Sequence, residues 1–253
     1  MYQHRFGFER NSGPERYAAA NFGVPRRIPL LSEKLSGVGY ATGMIGKWHI
    51  GFREGLRPHE RGFDFTYVFH SGARSYYPKT KNGDPLYRNG IRVAKEPAYL
   101  TDAFAEEAVA FIEGSKDDPW FLYLAFNAVH APAQAPKADI ERMQKRFPHL
   151  DKKRAILLAM LEHLDLGVGA VVNKLKAEGA WENTLLFFLT DNGGSKGMLA
   201  DNGKLRGFKG SLYEGGIRTP WIVSWPAKFK GGRTLDQPVI SLDILPTVVE
   251  ATG

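Results

Sequence analysis

Cysteine is absent from this 253-residue chain. Disulfides, thiolate metal centres and cysteine nucleophiles are thereby excluded together, and the redox compartment is left undecided. The chain also lacks an internal repeat, a low-complexity tract and a long uncharged apolar run, so no membrane span is read from it. Met1 is followed by Tyr-Gln-His-Arg and not by a basic segment leading into an apolar one, so no signal peptide is read at the start. A large excess of one charge is missing as well: Lys and Arg number 34 against 27 Asp and Glu, a formal net charge of +7. No groove-reading motif or basic helix accompanies that modest excess, so no nucleic acid partner is expected. What is present, 43% apolar and 24% charged residues, is the composition of an ordinary globular domain, not of a disordered, collagenous or coiled-coil chain.

Helix and strand signals alternate along the chain. Residues 28–35 carry Leu31 and Leu35 at helical spacing and stop at Gly37 and Gly39. Residues 40–45 form a short strand. Residues 51–99, rich in Gly, Pro, Arg and Tyr without a clear period, read as one long loop region, and loops of that length are usually functional. Thr101 is placed to cap a helix running to about Glu113. Residues 120–126, WFLYLAF, are continuously apolar, and their length and aromatic content favour a buried strand. Residues 152–178 set Ile156, Met160, Leu164, Val168, Val171 and Leu175 at helical spacing, with Gly179 as the stop. Residues 184–190 and 220–225 are further strands, and 244–251 a last helix. Strands apolar on both faces, alternating with amphipathic helices, predict an α/β fold with a largely parallel sheet covered by helices.

In such folds ligands bind outside the carboxyl ends of the strands. Three of those ends carry chemistry here: Lys47 and His49 after the first strand, His130 after WFLYLAF, and Asp191-Asn192-Gly193-Gly194 after residues 184–190. Asp191 and Asn192 offer a carboxylate and an amide oxygen, which suit Ca²⁺ or Mg²⁺ better than a soft metal; the same tetrapeptide is also ordinary turn chemistry. Lys47 and His49, two residues apart, point the same way on an extended stretch. They are equally readable as a surface lysine beside a packed histidine. His130, flanked by small residues and proline, is readable as a ligand-facing or as a buried structural imidazole. The stretch 206–220 sets Arg206, Lys209, Glu214 and Arg218 among glycines just before a strand. Glycines let backbone approach an anion closely, and Lys209 is a mobile point charge suited to a sulfate or phosphate oxygen; a solvated loop reads the same way.

These blocks resemble the sulfatase family. Residues 39–51, GYATGMIGKWHIG, closely resemble the second sulfatase signature; 121–132, FLYLAFNAVHAP, resemble the central strand with its active-site histidine. Residues 189–194, LTDNGG, resemble the metal-binding Asp-Asn, and 207–220, GFKGSLYEGGIRTP, the late lysine-bearing loop. The four occur in family order and span nearly the whole chain. The resemblance implies an alkaline-phosphatase-like, three-layer αβα sandwich with a largely parallel mixed sheet. It also implies a bound Ca²⁺ and hydrolysis of sulfate esters, of sulfated carbohydrates or aryl sulfates, by a formylglycine made from Cys or Ser in C/S-x-P-x-R. By matching position, Lys47, His49, His130 and Lys209 would surround the sulfate, and Asp191 and Asn192 would ligate Ca²⁺. His130 would protonate the leaving alcohol, and His49 would support the nucleophile and help expel sulfate. Two alternatives share the blocks: a non-catalytic relative that binds sulfated glycans, and a phosphatase or phosphodiesterase of the same superfold. The remaining histidines, His4, His59, His70, His149 and His163, show no ligand spacing for the latter.

Two pieces of the pattern are not found. Nothing in residues 1–30 resembles the early strand whose Asp pair completes the calcium site, and residues 2–9 resemble the stretch that follows the nucleophile motif. Residues 12–16, Ser-Gly-Pro-Glu-Arg, fit S-x-P-x-R in form, but Tyr-Ala-Ala-Ala-Asn follows where the family reads Leu-Leu-Thr-Gly, so Ser12 is not assigned as nucleophile. The resemblance therefore implies that residues 1–253 are a partial catalytic domain, incomplete at both ends and without the family's smaller C-terminal domain. It would be inactive alone and prone to aggregate through open strand edges. The full-length family is periplasmic or secreted. The loop 70–92, with Arg74, Tyr76, Tyr77, Arg88 and Arg92, lies where the family often builds substrate specificity, and suits a sulfated sugar polymer; an ordinary solvated loop is the other reading.

Overall fold

The computed structural model describes residues 3–7, 23–78 and 84–253. Residues 12–16, Ser12 among them, lie outside the described residues, as do parts of the stretches 2–9 and 70–92. In chain order the elements are α1 (Leu31–Ser36), β1 (Ala41–Lys47), β2 (Phe65–Phe69), β3 (Tyr87–Arg88), β4 (Ile91–Arg92), α2 (Leu100–Gly114) and β5 (Trp120–Ala125). There follow α3 (Lys137–Arg146), α4 (Lys152–Ala177), β6 (Leu186–Leu189), α5 (Glu214–Ile217), β7 (Trp221–Ser224) and α6 (Ile244–Thr252).

β1 lies inside a five-stranded sheet ordered β4-β3-β2-β1-β5. β2 and β5 flank it in parallel, with Gly43 beside both Phe65 and Leu122. β3 and β4 add an antiparallel hairpin beyond β2. The strand period of two sends neighbouring β1 side chains to opposite faces. Ile45 joins Phe69, Leu100, Phe104 and Ala108 under α2, whereas Met44 joins Trp48, Phe63 and Val68, with Leu30 packed on the same face. Each such side chain contributes about 2 kcal/mol by leaving water. α4 packs along α2 and α3, and Tyr76, Tyr99, Met143 and Met160 fill the space there. The result is the expected α/β sandwich around a mixed, largely parallel sheet. Among the described residues one helix, α4, is long and apolar enough to cross a membrane by length and composition. One side of it packs against α2 and α3, and 28% of its apolar stretch is buried.

Gly46 sets the spacing of the sheet next to the candidate site. Its φ is 110°, open to glycine, and a Cβ there would fall 2.0 Å from the Ala125 carbonyl oxygen. β1 and β5 can therefore pair tightly up to the residue that precedes Lys47.

Three expectations need correction. Residues 51–99 are not one loop, because β2 is a core strand whose last four residues are buried. β3 and β4 form a hairpin around Asn89 (φ 49°) and Gly90 (φ 80°), the paired positive φ values of a type I′ turn. Thr101 does not cap α2. The helix starts at Leu100 with Tyr99 in the cap position, and the Leu100 N–H donates to the Tyr76 carbonyl at 2.8 Å, so a distant backbone group replaces the local cap. The strand at 220–225 does not extend the parallel sheet: β7 pairs antiparallel with β6 in a separate two-stranded sheet. Among the described residues β5 pairs only with β1 and β6 only with β7. Apolar side chains on these strands stay open to solvent in consequence, with Tyr123 47% and Ile222 56% exposed.

Candidate active site

The carboxyl ends of β1, β5 and β6 deliver the predicted groups. Lys47 is the last residue of β1. Beyond it the chain stays tied to the neighbouring segment: Trp48 N donates to Phe69 O at 3.0 Å and His49 N to His70 O at 3.1 Å. His49 has φ 55°, in the left-handed region, which costs a non-glycine residue on the order of 1 kcal/mol and persists only where surroundings hold it. Its imidazole lies against Gly72, and edge-on to Phe52 with ring centroids 6.3 Å apart.

Past β5, His130 N donates to Asn127 O at 2.8 Å, and His130 Nδ1 lies 2.8 Å from Ala131 O. A carbonyl can only accept, so Nδ1 carries a proton and Nε2 is the acceptor of the neutral ring. Tyr76 supports this loop. Its buried hydroxyl sits 2.8 Å from Asn127 O and 2.9 Å from His130 O.

Past β6 come Asp191 and Asn192. Gly193 N donates to Gly216 O at 2.9 Å and Lys209 N to Gly194 O at 3.0 Å, which stitches the Asp-Asn turn to the lysine loop. Asn202 completes the stitch, its Oδ1 accepting from Gly194 N at 2.9 Å and its Nδ2 donating to Gly207 O at 3.0 Å.

Lys47, His130 and Lys209 come close enough to act on the protonation of His49, and the two lysines on that of His130. Burial chiefly, then the charges of Lys47, His130 and Lys209, bring His49 down to about 4. His130 is lowered by burial first; Lys209 and Lys47 add to this, against the Ala131 carbonyl and Asp191. Lys47 is lowered by burial, with Asp191 opposing and Lys209 adding. At neutral pH the cradle thus pairs lysines with neutral imidazoles, a set suited to an oxyanion and to proton transfer.

Asp191 and Asn192 are the right kind of donors for the calcium the resemblance implies. Asn192 Nδ2 donates to Gly193 O at 3.0 Å, so Oδ1 is the atom available to a cation. Ca²⁺ takes about 6–8 oxygens. Among the described residues no group of three or more His, Cys, Asp or Glu side chains is arranged to hold a metal. Asp191 and Asn192 by themselves supply too few oxygens to complete a calcium site.

Among the described residues of the loop 70–92, Arg74 and Tyr76 turn inward, which departs from an ordinary solvated loop at those two positions, whereas Arg88 and Arg92 stay exposed. Arg74 is buried with Nη2 2.5 Å from Glu96 Oε2. Arg88 engages Glu107 and covers the Tyr67 ring, with Cζ 4.6 Å from its centroid. Tyr76 is buried under the His130 loop, and Tyr77 packs on Tyr99 with ring centroids 5.4 Å apart. Arg92 remains exposed. Three supporting residues escaped the sequence reading: Gly72, the role of Tyr76, and Asn202. Only the last left a signal, a second Asp-Asn-Gly at 201–203 copying 191–193.

The structure thus brings two lysines and two histidines near one another beyond the strand ends, groups of a kind suited to an anion. The family model described as Sulfatase matches residues 1–253, and the chain belongs to the sulfatase family. It is 30% identical to "Uncharacterized sulfatase YdeN" of Escherichia coli (strain K12), over 98% of this chain and 46% of that protein. It is 34% identical to "Arylsulfatase J" of Mus musculus, over 89% of this chain and 40% of that one. Among solved structures it is similar to Ps i-CgsB in complex with k-i-k-neocarrahexaose, at a TM-score of 0.86 and 37% identity over 92% of this chain and 55% of that one. The chain spans about half the length of these relatives.

Proposed function

We propose that this chain is part of the catalytic domain of a sulfuric ester hydrolase, and that Lys47, His49, His130 and Lys209 hold and process the sulfate. The observation that carries the reading is their convergence at one end of the sheet, with both imidazoles kept neutral by burial and by the lysines. An arriving sulfate ester brings negative oxygens that offset the lysine charges, and this raises both histidines. His130 takes a proton at Nε2, while Nδ1–H stays on the Ala131 carbonyl, and passes it to the leaving alcohol oxygen as the ester S–O bond breaks and the sulfur bonds instead to the oxygen of the attacking nucleophile, which is none of these four residues. His49 serves the attacking oxygen and the later departure of sulfate. Lys47 and Lys209 neutralise charge growing on the sulfate oxygens, where one well-placed donor is worth about 3 kcal/mol. Asp191 and Asn192 are proposed as two of the calcium ligands. The likeness to Ps i-CgsB, whose complex holds k-i-k-neocarrahexaose, supports a carbohydrate as the alcohol half of the ester.

The test is sulfate release, followed by ion chromatography, from k-i-k-neocarrahexaose and 4-nitrophenyl sulfate. The natural polypeptide that contains this chain is assayed with calcium present. Release that falls at least ~100-fold in Lys47→Ala and Lys209→Ala supports the reading. Binding of the oligosaccharide without release refutes hydrolysis and leaves a binding protein. Faster cleavage of 4-nitrophenyl phosphate than of the sulfate refutes the substrate class.

A further inference from the structure

The imidazole of His49 rests on Gly72. A Cβ at Gly72 would fall 2.3 Å from His49 Cε1, 2.7 Å from Nε2 and 2.9 Å from Nδ1, so three atoms of the ring crowd the space that a side chain would fill. Gly72 is not among the glycines of positive φ, so its backbone would accept alanine. What demands glycine there is the ring above it. The backbone beneath is pinned on several sides. His70 O accepts from His49 N at 3.1 Å, Ser71 N donates to Asp84 Oδ2 at 2.6 Å, and Ser71 Oγ donates to Ala73 O at 2.8 Å. Phe52 stands edge-on to His49, 6.3 Å between centroids, and edge-on to His70 at 6.5 Å. A methyl group on that floor must displace the ring, because the floor is the better anchored of the two.

We propose that Gly72 is a positioning residue for His49, its missing side chain being the seat that fixes the imidazole in the anion cradle. The role rests on the sulfatase reading only for its consequence in catalysis; the packing stands by itself. The charged and titratable groups acting on His49 are Lys47, His130 and Lys209, and a displaced ring changes its distance to all three.

The experiment is Gly72→Ala in the full chain, with the His49 ring proton resonance followed through a pH titration and assigned by its loss in His49→Ala. The expected result is a titration midpoint moved by about half a unit or more. In the natural polypeptide sulfate release falls by up to about 100-fold, the effect of an ångström-scale misplacement. The double variant His49→Ala/Gly72→Ala, where the methyl has room, should melt with His49→Ala. It also decides the matter if Gly72→Ala alone does not fold. An unmoved His49 midpoint in Gly72→Ala overturns the inference, as does a double variant that melts well below His49→Ala. Absence of any sulfate release counts against the proposed function and leaves the titration to judge the packing.

Discussion

His163 joins three helices, and its charge state sets how firmly it does so. It projects from α4 with Nδ1 2.7 Å from Asp102 Oδ1 on α2 and Nε2 3.1 Å from Asp139 Oδ2 on α3. Asp139 is shared with Arg142 at 2.8 Å, which also reaches Glu162, and Tyr99 packs against the ring with centroids 4.8 Å apart. Carboxylates only accept, so both ring nitrogens must donate, and only the imidazolium does that. Burial works against the charge, but the bonds to Asp102 and Asp139 outweigh it and hold the ring above 6.5. The folded protein therefore keeps a proton that the unfolded chain releases near pH 6.5. The clamp is at full strength below that pH and is lost as pH rises through the raised folded value. Hydrogen bonds to charged groups are worth about 1.5–3 kcal/mol each. Asp102 is 45% exposed, and solvent screening brings the pair down to about 2 kcal/mol in all. For a chain of this length that corresponds to roughly 4–8 °C in Tm. The assay is the urea midpoint at pH 6 and pH 9 for the natural chain and for His163→Gln, whose amide can donate but carries no charge. The variant should be about 2 kcal/mol less stable at pH 6, with the gap closing toward pH 9. A gap of equal size at both pH values would refute the imidazolium clamp.

His70 gives the opposite slope. It stacks on Tyr87 at 4.7 Å, and burial above all pushes it down to about 4, so stability is lost as pH falls from about 6.5 toward that value. His70→Phe should flatten the urea midpoint between pH 7 and 4.5 by on the order of 2 kcal/mol. Tyr76→Phe strips a donor from two loop carbonyls; it should lower stability by about 1–3 kcal/mol in urea unfolding and shift the His130 resonances, since that loop loses its support. Asn202→Ala cuts the tie between the Asp-Asn turn and the lysine loop, for about 1–2 kcal/mol of thermal stability; on the proposed function inorganic sulfate should raise Tm, and the variant should show a smaller rise. Asn202→Asp should retain part of that response, because it keeps an acceptor for Gly194 N and loses the donor to Gly207 O.

The parallel core was legible where a strand announced itself by length or by its neighbours. β5 stands in a continuous apolar run, and β1 lies between a helix stop and a Lys-x-His end, so both were readable. β2 was not, for a physical reason. FTYVF is five residues long and nearly all buried, so it shows neither the alternation of a half-buried strand nor enough length to stand out among glycines and arginines. The hairpin after it did carry a local signal in Asn89-Gly90. The start of α2 carried none, because the group that satisfies its first N–H is the carbonyl of Tyr76, brought there by tertiary folding.

The site divides the same way. Lys47, His49, His130, Asp191 and Asn192 stand at strand ends, so placing the strands places them. Their supports act through main-chain atoms instead. Tyr76 lies 54 residues before His130 and bonds its carbonyl oxygen. Asn202 bonds Gly194 N and Gly207 O. Buried Arg61 likewise holds the approach to α1 through Val24 O at 2.6 Å and Ile28 O at 2.9 Å, as well as through Glu33. A side chain that binds a backbone group needs no particular residue type opposite it, since every residue offers the same carbonyl. Gly72 is the limiting case, a support that acts by having no atoms where His49 needs room. The groups proposed to do chemistry can thus be read from residue type and position, whereas the groups that hold them in place become visible only when the chain is folded.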